Sequence, residues 1–294
     1  MKKWTWLIAG LLIIGGSLSL MGFASNKHTQ WGQPVSVGNG QIKTFVTLNG
    51  AGKPKEVGVV FTEEMLSGLP DQMTENVLDF PASIEATSFD HFGLDWNPMG
   101  HEPDGVYTVP HFDFHFYAIS QAEQAAIAAG ACTTDDDSRI PNPPGSVPVT
   151  CEVFAKAMQP LPADMMPTDY NLVPAVVPNM GNHLLDFTAP ELNGEPFTYT
   201  WLYGAYDGQI IFYEPMITKA FLESNPNMCE SLKTPEAMPE AGWYPTRYCI
   251  KHSQAGIYTI ALDSFKWFEA SNGQVVNSEM PPAPQHEFVA HHHN

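Results

Sequence analysis

Pro110-His111-Phe112-Asp113-Phe114-His115-Phe116-Tyr117 alternates strictly between polar and aromatic residues. A period of two is the signature of a β-strand with two different faces. One face carries Phe112, Phe114 and Phe116 and asks for a hydrophobic core. The other carries His111, Asp113, His115 and Tyr117. Two imidazoles and a carboxylate on one face call for something that uses their lone pairs, and a metal ion does this. Geometry limits the idea. Residues two apart on a strand are separated by roughly 6.6 Å and residues four apart by roughly 13 Å, whereas metal–ligand bonds measure only about 2.0–2.2 Å. His111 with Asp113, or Asp113 with His115, can therefore grip one ion from a regular strand. His111 and His115 can share one only across a bend or bulge.

Outward from this strand the chain reads as mainly β. Gln41 to Leu48 and Val57 to Phe61 are expected strands, joined by a turn at Asn49-Gly50. Thr62-Glu63-Glu64 is placed to cap one helical turn, and Ile84 to Trp96 alternates loosely as a further strand. Ser120-Gln-Ala-Glu123 is a capping box opening a short alanine-rich helix that stops at Gly130. Phe197 to Tyr203 and Gln209 to Glu214 form a hairpin about Asp207-Gly208, with Trp201 expected opposite Glu214 and Tyr203 opposite Phe212. Pro215 is read as the start of a short helix, and Tyr244 to Tyr248 and Gly256 to Leu262 as closing strands. Many short strands and few helices predict a sandwich or a jelly-roll, cupin-like barrel with a few short helices. The expected domain is a single β-rich unit over 41–270. Residues 25–40 form a leader, 132–170 a long proline- and aspartate-rich surface loop, and 271–294 a flexible tail ending near His291-His292-His293. Within the loop, Asp135-Asp136-Asp137 reads as a solvated charge run, since three adjacent carboxylates cannot all face one ion.

The chain has 294 residues and a net charge of −19, with only 13 Lys and Arg. That balance argues against nucleic acid and anionic lipid as partners. A small-molecule ligand is the expected partner, and assembly into a homo-oligomer stays open. Lys2 and Lys3, an uncharged apolar run from Trp4 to Ala24, and small residues at Gly22 and Ala24 read as an export signal cleaved before Ser25. The run is also long enough for an anchor. A secreted or periplasmic location follows, and the even count of four cysteines suits it. Three pairings are possible. The local one, Cys132–Cys151 with Cys229–Cys249, would tie off two proline-rich loops.

The candidate site gathers His111, Asp113, His115 and His183 as ligands of a divalent ion, with zinc, iron and manganese equally suited to such donors. His183 comes from a Gly-Asn turn. Glu214 is a fourth ligand or a general base, and Tyr117 or Arg247 would stabilise developing negative charge. Glu214 paired with Arg247 is the bland alternative. His101 is read as a loop hydrogen-bonder. No nucleophile elbow, phosphate loop or His-Glu-x-x-His motif occurs. The second class of function open to the chain is a non-catalytic secreted binding or structural module, in which the His/Asp face is a buried polar network.

His101-Glu102-Pro103, Pro110 to Tyr117, Glu214-Pro215 to Glu223 and Tyr244-Pro-Thr-Arg247-Tyr248 together resemble a family of exported bacterial proteins of unknown function, known from Thermus among others. The resemblance implies a shared fold and a shared site, without an activity. His111-x-Asp113 with His183 is similar to the two-His-one-carboxylate triad of iron/2-oxoglutarate oxygenases, which implies a jelly roll. Those enzymes place an Arg shortly after the second His, whereas the next basic residue here is Lys219. Phe112-Asp113-Phe114-His115 resembles the zinc-binding strand of α-carbonic anhydrases, with Asp113 in place of one His. A cupin-like convergence of the strand histidines, Glu214 and His183 is a third analogy.

Overall fold

The structure is a computed structural model and describes residues 28–132 and 148–274. The export segment, the Asp135–Asp137 run and the tail from Pro281 lie outside the described residues. The strands are β1 (Thr29–Trp31), β2 (Val35–Val37), β3 (Gly40–Leu48), β4 (Pro54–Thr62), β5 (Thr74–Asp79), β6 (His91–Asn97), β7 (His111–Tyr117) and β8 (Tyr170–Val177). They continue as β9 (Gly181–Asp186), β10 (Tyr199–Tyr206), β11 (Gln209–Thr218), β12 (Asn227–Ser231), β13 (Gly242–Tyr244), β14 (Arg247–His252), β15 (Ile257–Asp263) and β16 (Lys266–Phe268). Among the described residues, three short α-helices, α1 (Gln121–Ala126), α2 (Cys151–Ala157) and α3 (Lys219–Glu223), punctuate them.

Two antiparallel seven-stranded sheets result. The first runs β1-β3-β4-β15-β14-β12, with β2 on β3, and the second runs β5-β6-β7-β11-β10-β9-β8. The chain is a sandwich and does not close into a barrel, because each sheet keeps two edges. The core lies where the sheets face each other. Phe112, Phe114 and Phe116 meet Val57, Val59, Phe61, Ile250 and Ile260 there. Phe61 stacks 6.1 Å from Phe114, and Trp201 lies 5.0 Å from Tyr248. The period-two reading of β7 therefore holds, and its polar face must point to the outside of the second sheet.

That outer face is nevertheless covered. On one side α1, α2 and their flanks lay Ile127, Val149 and Val153 over Tyr117, Ile211 and Phe212. On the other, Tyr107 and Phe197 pack on Leu202 and Met216. A row of polar side chains lies buried on the same face.

Several local expectations change. The leader carries β1 and β2, both paired with β3. Residues 82–86 form a 3-10 turn, so only the second half of Ile84 to Trp96 is strand, and β5 pairs beside it. Residues 148–170 are no surface excursion, since Val153, Ala157, Leu161 and Met165 are buried. Thr62 precedes a 3-10 turn without a side-chain cap, whereas the Ser120 capping box forms as read. The helix after Pro215 begins only at Lys219, capped by Thr218. Both local disulfides, Cys132–Cys151 and Cys229–Cys249, are present and fit an oxidising, extracytoplasmic environment. No helix among the described residues is long and apolar enough to cross a membrane.

The β10–β11 hairpin is shifted by one residue from the expected register. Leu202 pairs with Glu214, Trp201 with Pro215 and Tyr203 with Tyr213, and a bulge falls between Gly204 and Ala205. The extra residue on β11 is Ile211, which packs outward beside Phe212 while Ile210 faces the core. This one-residue slip sends Trp201 and Tyr203 into the core and Glu214 to the outer face.

A candidate metal centre on the outer face

Strand β7 supplies the middle of the polar row. Its ladder with β6 is unbroken from His91↔Tyr117 to Asn97↔His111, which sets Asp95 opposite Asp113 and Asn97 opposite His111. With no bulge in that ladder, His111 and His115 stay four residues apart on a regular strand and do not meet at one point. The row instead divides into two groups.

The first group is built on Asp113. His111 Nε2 lies 3.2 Å from Asp113 Oδ1, and His101 Nε2 lies 3.6 Å from Oδ2. One donor atom from each of the three residues lies within 4.8 Å of the others. Asn97 Nδ2 donates to Asp113 Oδ2 at 2.7 Å, which holds the carboxylate and leaves Oδ1 and His111 Nε2 buried without a hydrogen bond. The loop from β6 to β7 brings in His101. Gly100 adopts φ +70°, where a Cβ would run into the Tyr107–Val109 backbone, so glycine is required at this turn.

The second group is built on Glu214. His115 Nε2 lies 3.3 Å from Oε1, and His183 Nε2 lies 3.9 Å from Oε2. The other ring nitrogen of His115 faces Asp95 at 3.7 Å. His183 reaches the row from β9, where it pairs with Gly204 on β10. The β8–β9 register slips between Val173 and Val177, freeing the Ala175 carbonyl to accept from His183 Nδ1 at 2.9 Å. The Phe212 ring packs edge-on against both imidazoles, 5.1 Å from His115 and 5.5 Å from His183. The β11–β7 ladder skips from Tyr213↔Phe116 to Met216↔Asp113, a gap spanning Pro215, which has no N–H to give.

The tautomers follow from these contacts. His101, His111 and His183 each place Nδ1 against a backbone carbonyl, that of Glu102 at 2.7 Å, Val109 at 2.7 Å and Ala175 at 2.9 Å. A neutral ring so held donates from Nδ1 and turns the Nε2 lone pair toward the row, which is the way metal-ligating histidines are oriented. Lone pairs facing carboxylates repel unless a proton or a metal lies between them. Asp95, Asp113 and Glu214 are all buried, and every ion-pair partner found for them among the described residues is an imidazole. Burial of such charge needs compensation.

Titration responds to this crowding. Burial alone would raise the Asp113 carboxyl, but His111 and His101 hold it well below the usual range. Burial pulls His101 down, and the Asp113 carboxylate outweighs it to about 9. His115 is likewise driven to about 9, against burial, by Glu214 and then Asp95. Burial pushes Asp95 up to about 7 and lowers His183.

Not every expected residue joins the row. Arg247 sits on β14 in the other sheet and grips Asp263 through two bonds of 2.6 and 2.7 Å, so it neither pairs with Glu214 nor serves the site. Tyr117 packs its ring 5.6 Å from His115, and its hydroxyl donates to the Asn179 carbonyl at 3.4 Å and to no carboxylate. His183 and Asp113 belong to different groups, so the oxygenase-like triad does not assemble. His101 and Asn97 join the row although periodicity gave neither a role. The Gly-His-Glu-Pro turn was the one available signal for His101.

A family model described as TTHB210-like, hypothetical protein TTHB210, matches residues 49–96. The match runs through β4 to β6, includes Asp95 and stops before His101, His111 and Asp113. It is consistent with the resemblance to proteins of unknown function and adds no activity. No curated protein and no solved structure matches the chain.

Proposed function

We propose that this chain is an exported metal-binding protein whose divalent cation is held by His101, His111 and Asp113. One observation carries the reading. Asp113 Oδ1 and His111 Nε2 are buried, face each other at 3.2 Å and make no hydrogen bond. Two donors that far apart, each about 2.1 Å from one ion, subtend roughly 100° there, between octahedral and tetrahedral angles. Two imidazoles and a carboxylate suit zinc, iron or manganese. Zinc needs no reductant in an oxidising compartment and is the first to test.

Elemental analysis of the purified protein tests the reading, in a background with His291, His292 and His293 changed to Ala to remove loose binding by the tail. The expected result is stoichiometric metal, with the share held at this centre lost in Asp113→Ala while the circular-dichroism spectrum is kept. Metal content unchanged by that substitution would sink it.

A second reading is favoured by the raised pKa values of His101 and His115. Here imidazolium ions neutralise the carboxylates and the row is a structural network of a binding module. Stripped protein that ignores added zinc, iron and manganese would establish it. Turnover of a small molecule would extend the first reading. His101 is 34% exposed, whereas His111 and Asp113 are at most 5% exposed, so an ion would meet solvent at the His101 edge. Hydrolysis of small esters by the zinc-loaded protein, absent in Asp113→Ala, is the corresponding assay.

A further inference from the structure

An open cleft of about 500 Å³ lies beside β13 and β16, lined by none of the residues of the polar row. Its volume is that of a small-molecule site. Trp243, Tyr244 and Trp267 supply its aromatic walls, and Glu85, Glu123 and Glu240 its charges. Among the described residues no Lys, Arg or His lines it.

These groups come from parts of the chain distant in sequence. Trp243 and Trp267 are paired across the β13–β16 ladder and meet edge to face at 5.7 Å. Trp267 Nε1 donates to Glu269 Oε1 at 3.1 Å, which orients the indole. The Tyr244 hydroxyl donates to the Glu240 carbonyl at 3.0 Å and ties that loop to its strand. Glu85 comes from the 3-10 turn Ala82–Ala86. Glu123 comes from α1, where its carboxylate also accepts from Ser120.

Charge and aromatic character together say what such a cleft takes. A cleft lined by charges of one sign concentrates ions of the other, and the net charge of −19 adds to that field. Indole faces attract cations. The Trp243 ring does so within the fold, since Lys53 Nζ lies 4.6 Å from its centroid. Trp267 is 52% exposed, the one exposed tryptophan among the described residues, so its ring is open to a cation from solution. Carboxylates and aromatic rings without a basic group repel anions and suit an ammonium carried on a small apolar body.

We propose that this cleft binds a small organic ammonium compound, with the indoles of Trp243 and Trp267 against the cation and Glu85 and Glu240 as its counter-charge. The inference stands apart from the metal reading, because the two sites share no residue.

Calorimetric titration of the purified chain tests it with choline and with the uncharged isostere in which a tert-butyl group replaces the trimethylammonium. Choline is expected to bind at one site per chain, and the isostere about tenfold or more weaker. Trp267→Leu keeps an apolar side chain without the ring and should weaken choline about tenfold. Glu85→Gln combined with Glu240→Gln should weaken it as well, and added salt should do the same in wild type. All three positions are exposed, so the variants should melt as wild type does, which checks that they are folded. Equal binding of choline and its isostere, choline binding unchanged in Trp267→Leu, or no saturation up to about 10 mM choline overturns the inference. A cleft that saturates with a neutral disaccharide and not with choline overturns it too.

Discussion

Replacing Gly204 with Ala perturbs the packing beneath the row without touching any donor atom. A Cβ at this position would overlap Cε1, Cδ1 and Cζ of Phe212. The Phe212 ring is fully buried and has no free direction. It meets His115 at 5.1 Å, Tyr117 at 5.3 Å and His183 at 5.5 Å. Overpacking a filled site costs about 1–3 kcal/mol, and overlap with three atoms of a rigid ring places this case near the top, at about 2–3 kcal/mol. For a domain of this size each kcal/mol shifts Tm by about 2–4 °C, so a drop of roughly 5–10 °C is expected by thermal melting. The displaced ring also pushes on His115 and His183, the two imidazoles beside Glu214. Phe212→Leu in the same chain removes two of the overlapped atoms, Cε1 and Cζ. The double variant should lose less than the sum of the single losses, with a coupling of about 1 kcal/mol or more. Strict additivity, or a Gly204→Ala protein that melts within about 1 °C of wild type, would show that the ring does not occupy the place described.

Three further outcomes follow from the same geometry. His101 and His115 have pKa values raised to about 9, so their stabilisation of the metal-free protein is complete below the unfolded value of about 6.5 and is lost as pH rises through 9. Melting of stripped protein should weaken across that window and zinc should flatten the loss; a metal-free Tm that rises from pH 6.5 to 9 would contradict the ion pairs. Cys229 and Cys249 are directly opposed on β12 and β14 and 20 residues apart in sequence, so changing both to Ser should cost about 3 kcal/mol, and a melting shift under about 2 °C would refute this. Arg247→Ala should leave zinc content at the wild-type level, because its guanidinium is engaged with Asp263; loss of metal would return it to the site.

The fold was legible where one residue type repeated with a clear period. The alternation in β7, the Asp207-Gly208 turn and the Ser120 capping box are local signals that tertiary contacts only reinforce. Two other regions were misread because their signal is tertiary. Residues 148–170 look polar and irregular, yet Val153, Leu161 and Met165 find apolar partners on sheets distant in sequence. Pro215 resembles a helix start because its ring suits a first turn. Here it lies inside β11, at the gap in the β11–β7 ladder where a missing N–H costs least.

The site divides along the same line. That Asp113 shares a face with His111 and His115 follows from the pleat alone. Which of them meet does not, because it depends on register. One extra residue at Ile211 decides that Glu214 stands on the outer face and not among the core aromatics. An irregularity in β8 decides that His183 has a carbonyl to hold its far nitrogen. His101 enters only because a turn through Gly100 folds the loop back over β7. Both irregularities that shape the Glu214 group are insertions into otherwise regular ladders, each costing backbone pairing. The regular alternative would send Glu214 into an apolar core and leave the His183 ring without its carbonyl anchor. The sequence thus departs from ideal strands at the places where a buried carboxylate and an imidazole must be brought together, which is the expected pattern if strand regularity has been traded for a binding site.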